Sequence, residues 1–243
     1  MFIADSEDGV KMPCYEKNID VIKNENRKIL ENLARDMGIH LFGIAFLDPV
    51  RQYFHPSIIN ASAPLKFGIS LGFRLSDEII DGIVDEPTLI YKHHYSTVNH
   101  FLDQAALQIA NKIQCALGGK SLAIPASQIV DWKQQLGHLP HKTIAYQAGL
   151  GWLGRSNLLV NPEFGARVRY VTVLTDLLLE PDKPMNGDCG NCYKCLEVCP
   201  AGAITKQGYD LEKCLAKLKE FAKKPGIGQF ICGVCVKACP KKD

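Results

Sequence analysis

Cys189-Gly190-Asn191-Cys192-Tyr193-Lys194-Cys195-Leu196-Glu197-Val198-Cys199-Pro200 decides how this chain is organised, and Cys232-Gly233-Val234-Cys235-Val236-Lys237-Ala238-Cys239-Pro240 repeats its later part. With Cys214 between them, they put eight of the ten cysteines in the last 55 residues. A C-x2-C-x2-C loop offers three thiolates from one tight turn, and Gly190 and Asn191 help the backbone wrap. The fourth cysteine, ahead of a proline, lies too far along to reach the same cube, and in two-cluster ferredoxins it ligates the other cluster. The spacing therefore predicts two [4Fe–4S] clusters. Cys189, Cys192, Cys195 and Cys239 hold the first; Cys199, Cys214, Cys232 and Cys235 hold the second. Cys214 is expected on a helix, because Leu211, Cys214, Leu215, Leu218, Phe221 and Ala222 recur at helical spacing.

Two other uses of cysteine fit less well. Structural zinc favours two separated C-x2-C knuckles rather than three cysteines in seven residues and a doubled Cys-Pro. Disulfides need an oxidising compartment, and the acidic start from Met1 to Asp8 has no apolar core of a secretory signal. The expected location is cytoplasmic. Cys14 and Cys115 have no partner at ligand spacing and are expected as free thiols.

The 243 residues are 47% hydrophobic and 22% charged, which suits one globular core with an appended module. No apolar run approaches the ~18 residues of a membrane-spanning helix, so no membrane partner is expected. Net charge is +2, but residues 206–243 hold nine lysines against four acids, leaving −3 for the remainder. That basic segment suits either an acidic electron donor, such as a ferredoxin or flavodoxin, or a nucleic acid, and equally a plain solvated helix face.

Residues 1–17 read as a loose arm. A helix is expected over 18–37, where Ile22, Ile29, Leu30, Leu33 and Met37 form the stripe and Gly38 the stop. Strands are expected at 41–47 and 67–73, and a short helix begins at Ser76-Asp77-Glu78. The clearest helix spans 98–117, with Tyr91-Lys92-His93-His94-Tyr95 just before it. A strand at 121–124, a helix at 141–148, strands at 158–160 and 167–175, and a linker at 176–188 complete the pattern. The reading is an α/β domain over 18–180, followed by a ferredoxin-like two-cluster module over 181–243.

Gly149-Leu150-Gly151-Trp152-Leu153-Gly154 matches G-x-G-x-x-G, yet a helix precedes it and a strand follows. That is the reverse of a dinucleotide fingerprint. Either it is a tight helix-to-strand turn, or it is a loop whose backbone approaches something flat or anionic, with Arg155, Ser156 and Asn157 ready to hydrogen-bond.

His141-Lys142, the block from Ala148 to Arg155, Leu158 to Gly165, Arg167-Val168-Arg169, Leu174 to Leu177 and Asp182-Lys183-Pro184 lead into the cysteines in a recognisable order. Over about residues 90–243 the chain resembles the cobalamin-dependent iron–sulfur superfamily of epoxyqueuosine reductases and reductive dehalogenases, in the form of a short epoxyqueuosine reductase-like protein. The resemblance implies a nitroreductase-like α/β domain that takes base-off cobalamin beside a two-cluster ferredoxin-like module. Electrons would reach cobalt through the clusters. Gly149, Gly151, Trp152, Arg155, Ser156, Asn157 and Lys142 would then contact the corrin, its amides or its tail, with a substrate anion as a further partner for Lys142.

The chain departs from that family in two places. No aspartate stands where epoxyqueuosine reductases carry a proposed proton donor in an Asp-Ser-x-Pro segment; Asp131 is close but differently placed. The helical-repeat tail that grips tRNA in the family is not expected after Pro240. Reduction needs protons as well as electrons. The expected donors are Tyr95 and His94, then His138 and His141, each of which could equally be a helix cap or a core hydrogen-bonding group.

The expected function is a cobalamin and iron–sulfur oxidoreductase acting on a small or nucleoside-like substrate, with tRNA as the partner the resemblance implies. An electron-transfer protein that reduces the corrinoid of a partner protein is the alternative. A third reading places another cofactor, such as a flavin, in the α/β domain.

Overall fold

The computed structural model describes residues 18–239; the expected arm over 1–17, with Cys14, and Pro240 lie outside the described residues. In chain order the elements are α1 (Ile19–Asp36), β1 (Leu41–Phe46), a 3-10 turn (Asp48–Tyr53), α2 (Pro56–Ser62), β2 (Phe67–Arg74), α3 (Asp77–Asp81), α4 (Leu89–Ala116), β3 (Ser121–Ile124), α5 (His141–Gln147), β4 (Trp152–Leu153), β5 (Leu159–Val160), β6 (Val168–Thr175), α6 (Lys194–Glu197), α7 (Leu211–Ala222) and α8 (Val234–Lys237). The mixed α/β expectation holds. Cys214 lies on α7, as its periodicity required.

Four strands form one antiparallel sheet in the order β1-β2-β6-β3. Alternation along β6 sorts its side chains between two layers. Val171 and Val173 face α4 and α1, packing with Leu30, Leu102 and Ile109. Val168, Tyr170 and Leu174 face α5, packing with Ala45, Ile144 and Leu159. β2 pairs with β6 along its whole length, from Phe67–Thr175 to Arg74–Val168. β3 pairs only from Ser121–Thr175 to Ile124–Thr172. The edge of β6 over residues 168–171 is therefore left without a strand beside it.

One boundary differs by more than a residue from the expected span. α4 begins at Leu89 rather than Val98, because the Thr88 hydroxyl caps it by accepting from the Tyr91 backbone N–H. Tyr91, His94 and Tyr95 thus sit in the first two turns of the helix, not ahead of it.

The cysteine-bearing segment shares the α/β core. Ile227, Ile231 and Val234 belong to the same buried cluster as Leu102 and Val171. Polar bonds reinforce the junction. The Arg167 guanidinium, buried, bonds Asp77 at 2.8 Å, Asp81 at 2.7 Å and the Lys237 carbonyl at 3.2 Å. The Lys237 ammonium reaches the Ile83 carbonyl at 2.6 Å, and Lys224 pairs with Glu86. The Ala166 N–H donates to the Cys239 carbonyl at 3.2 Å.

Arg167→Leu should lower the stability of the folded chain by about 2 kcal/mol, since it strips Asp81 and the Lys237 carbonyl of this donor and leaves Asp77 with Arg74 alone; urea unfolding at pH 7 reads this. The hydrogen bond from Arg167, together with the charge of Arg74, holds the Asp77 carboxyl below its ordinary value. A depressed carboxylate contributes stability above the unfolded value of about 3.9 and loses it as pH falls through the folded value. The wild type should therefore lose this contribution in acid, and the deficit of Arg167→Leu should narrow below pH ~4.

Candidate functional site

A cavity of about 450 Å³ lies against the unpaired edge of β6. That volume is ordinary for a small-molecule or cofactor site, about 300–1,000 Å³. α4 supplies Tyr91 and Tyr95, α5 supplies His141 and Lys142, and β6 supplies Arg169 and Tyr170. The far wall is the cysteine segment: Cys199, Cys214, Cys232 and Cys235 all line it.

Of the two sets the spacing predicts, the second, Cys199, Cys214, Cys232 and Cys235, shares one cavity wall. Burial raises the Cys239 thiol, and its cysteine neighbours Cys189, Cys195 and Cys192 raise it further. Burial pushes Cys232 up to about 11, with Cys214 and Cys199 adding to it. Cys235 is pushed up to about 12, again by burial first and then by Cys232, Cys214, Cys199 and Cys195. Thiolates crowded this way are unfavourable until a cationic core sits among them. Among the described residues, no three His, Cys, Asp or Glu side chains close up on a single-ion position. Tetrahedral zinc would hold its sulfurs within ~4 Å of one another, whereas a cubane places a whole iron–sulfide cube between them. Cys192 is exposed, whereas Cys199, Cys214, Cys232 and Cys235 are half-buried and line the cavity. Cys115 is an exposed free thiol that donates to Asn111.

Of the four expected proton donors, Tyr95 and His141 reach the cavity; His94 and His138 do not line it. His94 accepts from the Ser76 N–H at 3.1 Å, steadying the start of α3. His138 joins Ser57 at 3.0 Å and Gln128 at 3.2 Å. His141 bonds the Pro125 carbonyl through Nε2 and Thr172 Oγ1 through Nδ1, both at 2.8 Å. A carbonyl only accepts, so Nε2 carries the hydrogen and Nδ1 accepts from the threonine. Burial lowers this imidazole to about 4, so at neutral pH it is an uncharged strut.

The Tyr95 ring lies under the Arg169 guanidinium, 4.5 Å from centroid to Cζ, and its hydroxyl is 3.4 Å from Ser127 Oγ. Burial pushes its phenol up, but Arg169, Ser127 and Asn99 together outweigh this and leave it below the ordinary value. The other cavity phenols go the opposite way. Burial raises Tyr91, Tyr170 and Tyr209, and a hydrogen bond to Cys214 adds to the last. Arg169 and Tyr170 escaped the sequence reading. The available signal was a charged residue in a β-branched strand with no acid opposite, since Arg169 pairs with Phe73.

The glycine block mostly faces the chain itself. A Cβ on Gly149 (φ +71°) would meet the Lys183 carbonyl at 2.7 Å, and one on Gly151 (φ +155°) the Val160 carbonyl at 2.2 Å. Trp152 is buried, with its ring against the backbone of Gly187. Arg155 donates to the carbonyls of Cys192 at 3.2 Å and Gly190 at 2.7 Å and stacks over Tyr193, so it braces the first cysteine loop. Asn157 (φ +59°) accepts twice from the Lys142 ammonium, at 2.9 and 2.8 Å. Of the seven residues expected at a cofactor, Lys142 and Ser156 line the cavity. Asp131 is occupied in its own turn, accepting from the Lys133 and Gln134 N–H groups.

No family model matches the chain. The epoxyqueuosine reductase of Bacillus cereus is 33% identical over 139 residues, which covers 54% of this chain and 36% of that protein. The match thus spans about a third of the curated relative's length. Among solved structures, one described as a reductive dehalogenase suggesting a mechanism for B12-dependent dehalogenation superposes with a TM-score of 0.73 at 19% identity, covering 95% of this chain and 34% of that one. An epoxyqueuosine reductase with an epoxyqueuosine-modified tRNA-Tyr stem loop gives a TM-score of 0.63 at 19% identity, covering 92% and 66%. At these identities the structural likeness is one of fold.

The crossed pairing of cysteines predicts the outcome of single substitutions. After anaerobic reconstitution the wild type should carry about eight irons. Cys239→Ala should leave the same residual EPR spectrum as Cys189→Ala, and Cys199→Ala the same as Cys214→Ala. A Cys199→Ala spectrum matching that of Cys189→Ala would refute the crossover.

Proposed function

We propose that this chain, which resembles epoxyqueuosine reductases in sequence and both epoxyqueuosine reductases and reductive dehalogenases in fold, is a corrinoid- and iron–sulfur-dependent reductase with its own substrate site. A nitroreductase-like α/β unit over 18–180 and a ferredoxin-like two-cluster module over 181–243 make up the reading. One observation carries it: the four cysteines of the second set line the same cavity as Tyr95, Lys142 and Arg169. The fit to the cofactors rests on four cysteines sharing the wall of a mainly apolar cavity that carries a few placed donors, including the buried Tyr170 hydroxyl, which has no partner. When bound, the clusters would supply single electrons and the corrinoid a strongly reducing metal centre.

The chain's own residues supply the rest. Cys189, Cys192, Cys195 and Cys239 would hold the solvent-side cluster, within reach of a ferredoxin- or flavodoxin-like donor. Cys199, Cys214, Cys232 and Cys235 would hold the inner one. Tyr95 is the general acid. Among four phenols around one cavity it alone is pushed toward easier proton release, and environments that drive like groups apart are what assign acid roles. Arg169 stabilises the phenolate left behind, and Ser127 and Asn99 lead toward a route for reprotonation. His141, neutral and bonded at both nitrogens, fixes Pro125 and Thr172 in place.

The alternative, electron transfer to a partner's corrinoid, is less well supported, because the inner cysteines line a cavity that the chain itself furnishes with Tyr95, Lys142 and Arg169. Among the described residues no helix is long and apolar enough to cross a membrane.

Reconstitution with iron, sulfide and cobalamin should give a chain that retains about one corrinoid, with a base-off signature by EPR; full iron loading with no corrinoid retained would sink the reading. With a reduced donor, consumption should be assayed for an epoxyqueuosine-modified stem loop and for a small organohalide. Tyr95→Phe should cut turnover ~10²–10⁴-fold with both cofactors still bound. An acid must hold its proton, so the wild-type rate should fall as pH rises through a Tyr95 value below ~10. Arg169→Gln should move that alkaline limb upward.

A further inference from the structure

The cavity wall carries three cations, Lys142, Arg169 and Lys217, and no aspartate or glutamate. Lys217 is paired with Glu220 at 2.7 Å. The other two meet only neutral oxygens. Lys142 donates to the carbonyl and side-chain amide of Asn157, and Arg169 donates to Asn99 Oδ1 and the Ala126 carbonyl. Half-buried charge without a counter-charge is costly, and proteins keep it where a ligand completes the pair. The four cysteines on the far wall would carry charge of their own once a cluster is bound, and Lys217 is the wall cation that bears on Cys232.

Further donors stand on the α5 side of the sheet, beside Lys142. Ser156, 6% exposed, precedes the asparagine that Lys142 grips and lines the same cavity. Tyr170, 7% exposed, lines it too, and its hydroxyl has no hydrogen-bond partner although it is sealed from solvent. An ammonium, a serine hydroxyl and an unsatisfied phenol, with a guanidinium elsewhere on the same wall, can all donate to a bound oxygen.

We propose that the cavity seats an oxyanion against Lys142, Ser156 and Tyr170, so that the bound molecule brings a phosphate or carboxylate group to the α5 side while Tyr95 stands on the α4 side. The inference rests on the corrinoid reading only for one of its two sources. The anion is either the phosphodiester of the corrinoid's nucleotide tail or an acidic group of the substrate, and both present the same charged oxygens. Lys142 grips Asn157 in a left-handed conformation that a non-glycine residue rarely adopts, so the ammonium is held in place before any ligand arrives.

The test uses the cluster-loaded chain in two arms. The first compares cobalamin with cobinamide, which lacks the tail phosphate, by absorbance titration. The second reads the thermal midpoint in inorganic phosphate and in benzoate against chloride at equal ionic strength. If the anion belongs to the corrinoid, cobalamin should bind about tenfold more tightly than cobinamide; Lys142→Gln should erase that preference and Lys142→Arg keep it. If it belongs to the substrate, the two corrinoids should bind alike. Phosphate or benzoate should then raise the midpoint of the wild type and Lys142→Arg but not of Lys142→Gln. Tyr170→Phe, which keeps the packing, should weaken whichever effect is seen. Wild-type protein showing neither a cobalamin preference nor an anion-specific shift overturns the proposal, whether or not the variants fold. Retained preference or shift in folded Lys142→Gln overturns it as well. An anion shift with no corrinoid bound at all would leave the oxyanion site standing and remove the corrinoid reading instead.

Discussion

β6 is fully paired on one edge and half paired on the other, and the site exists because of that asymmetry. β2 runs alongside it from end to end, while β3 stops opposite Thr172. Backbone groups beyond that point need neighbours other than a strand, and the space beside them opens to both faces of the sheet at once. Tyr91, Tyr95 and Arg169 reach it from the α4 layer; His141, Lys142 and Tyr170 reach it from the α5 layer. A sheet closed by a longer β3 would separate these two sets, and no common cavity would form.

The wall opposite the strand edge is fixed by apolar packing more than by charge. Ile227, Ile231 and Val234 are buried among α4 and sheet residues, so the loop from Cys232 to Cys235 cannot shift without opening the main core. The first cysteine loop is held from the α/β side instead. Arg155 bonds two of its carbonyls, and a Cβ on Gly154 would stand 3.4 Å from Cys189 Sγ and 2.6 Å from Val160. The glycine block that looks like a cofactor loop is thus largely a joint, bringing β4, β5 and the cysteine loop within backbone distance of one another.

Much of this was legible in the residues. Cysteine spacing grouped Cys199 with Cys214, Cys232 and Cys235 by the two-cluster ferredoxin pattern, and those four share the cavity wall. Helical periodicity placed Cys214, and alternation placed β6. The start of α4 was hidden, since its cap is a single Thr88 and its first turns are polar aromatics rather than an apolar stripe. Arg169 and Tyr170 were hidden for another reason. Within a strand, alternation tells which face a side chain takes but not whether the neighbouring strand reaches far enough to cover it. That depends on where β3 ends, and nothing local to β6 encodes it.

The loop that leaves β3 ties these parts together. Pro125, Ala126 and Ser127 are three consecutive residues, and each is held by a different cavity side chain. His141 donates to the first carbonyl, Arg169 to the second, and Tyr95 meets the third hydroxyl. Further along, Asp131 closes its own turn, and Trp132, 67% exposed, rests edge-on against Phe230 of the cavity wall. The segment in which an acidic proton donor would be sought therefore contributes none. Its beginning serves instead as a brace for the phenol, the guanidinium and the imidazole. A ligand that displaces this loop would loosen Tyr95 and Arg169 together, so proton supply and access to the cavity are set by one shared group of hydrogen bonds.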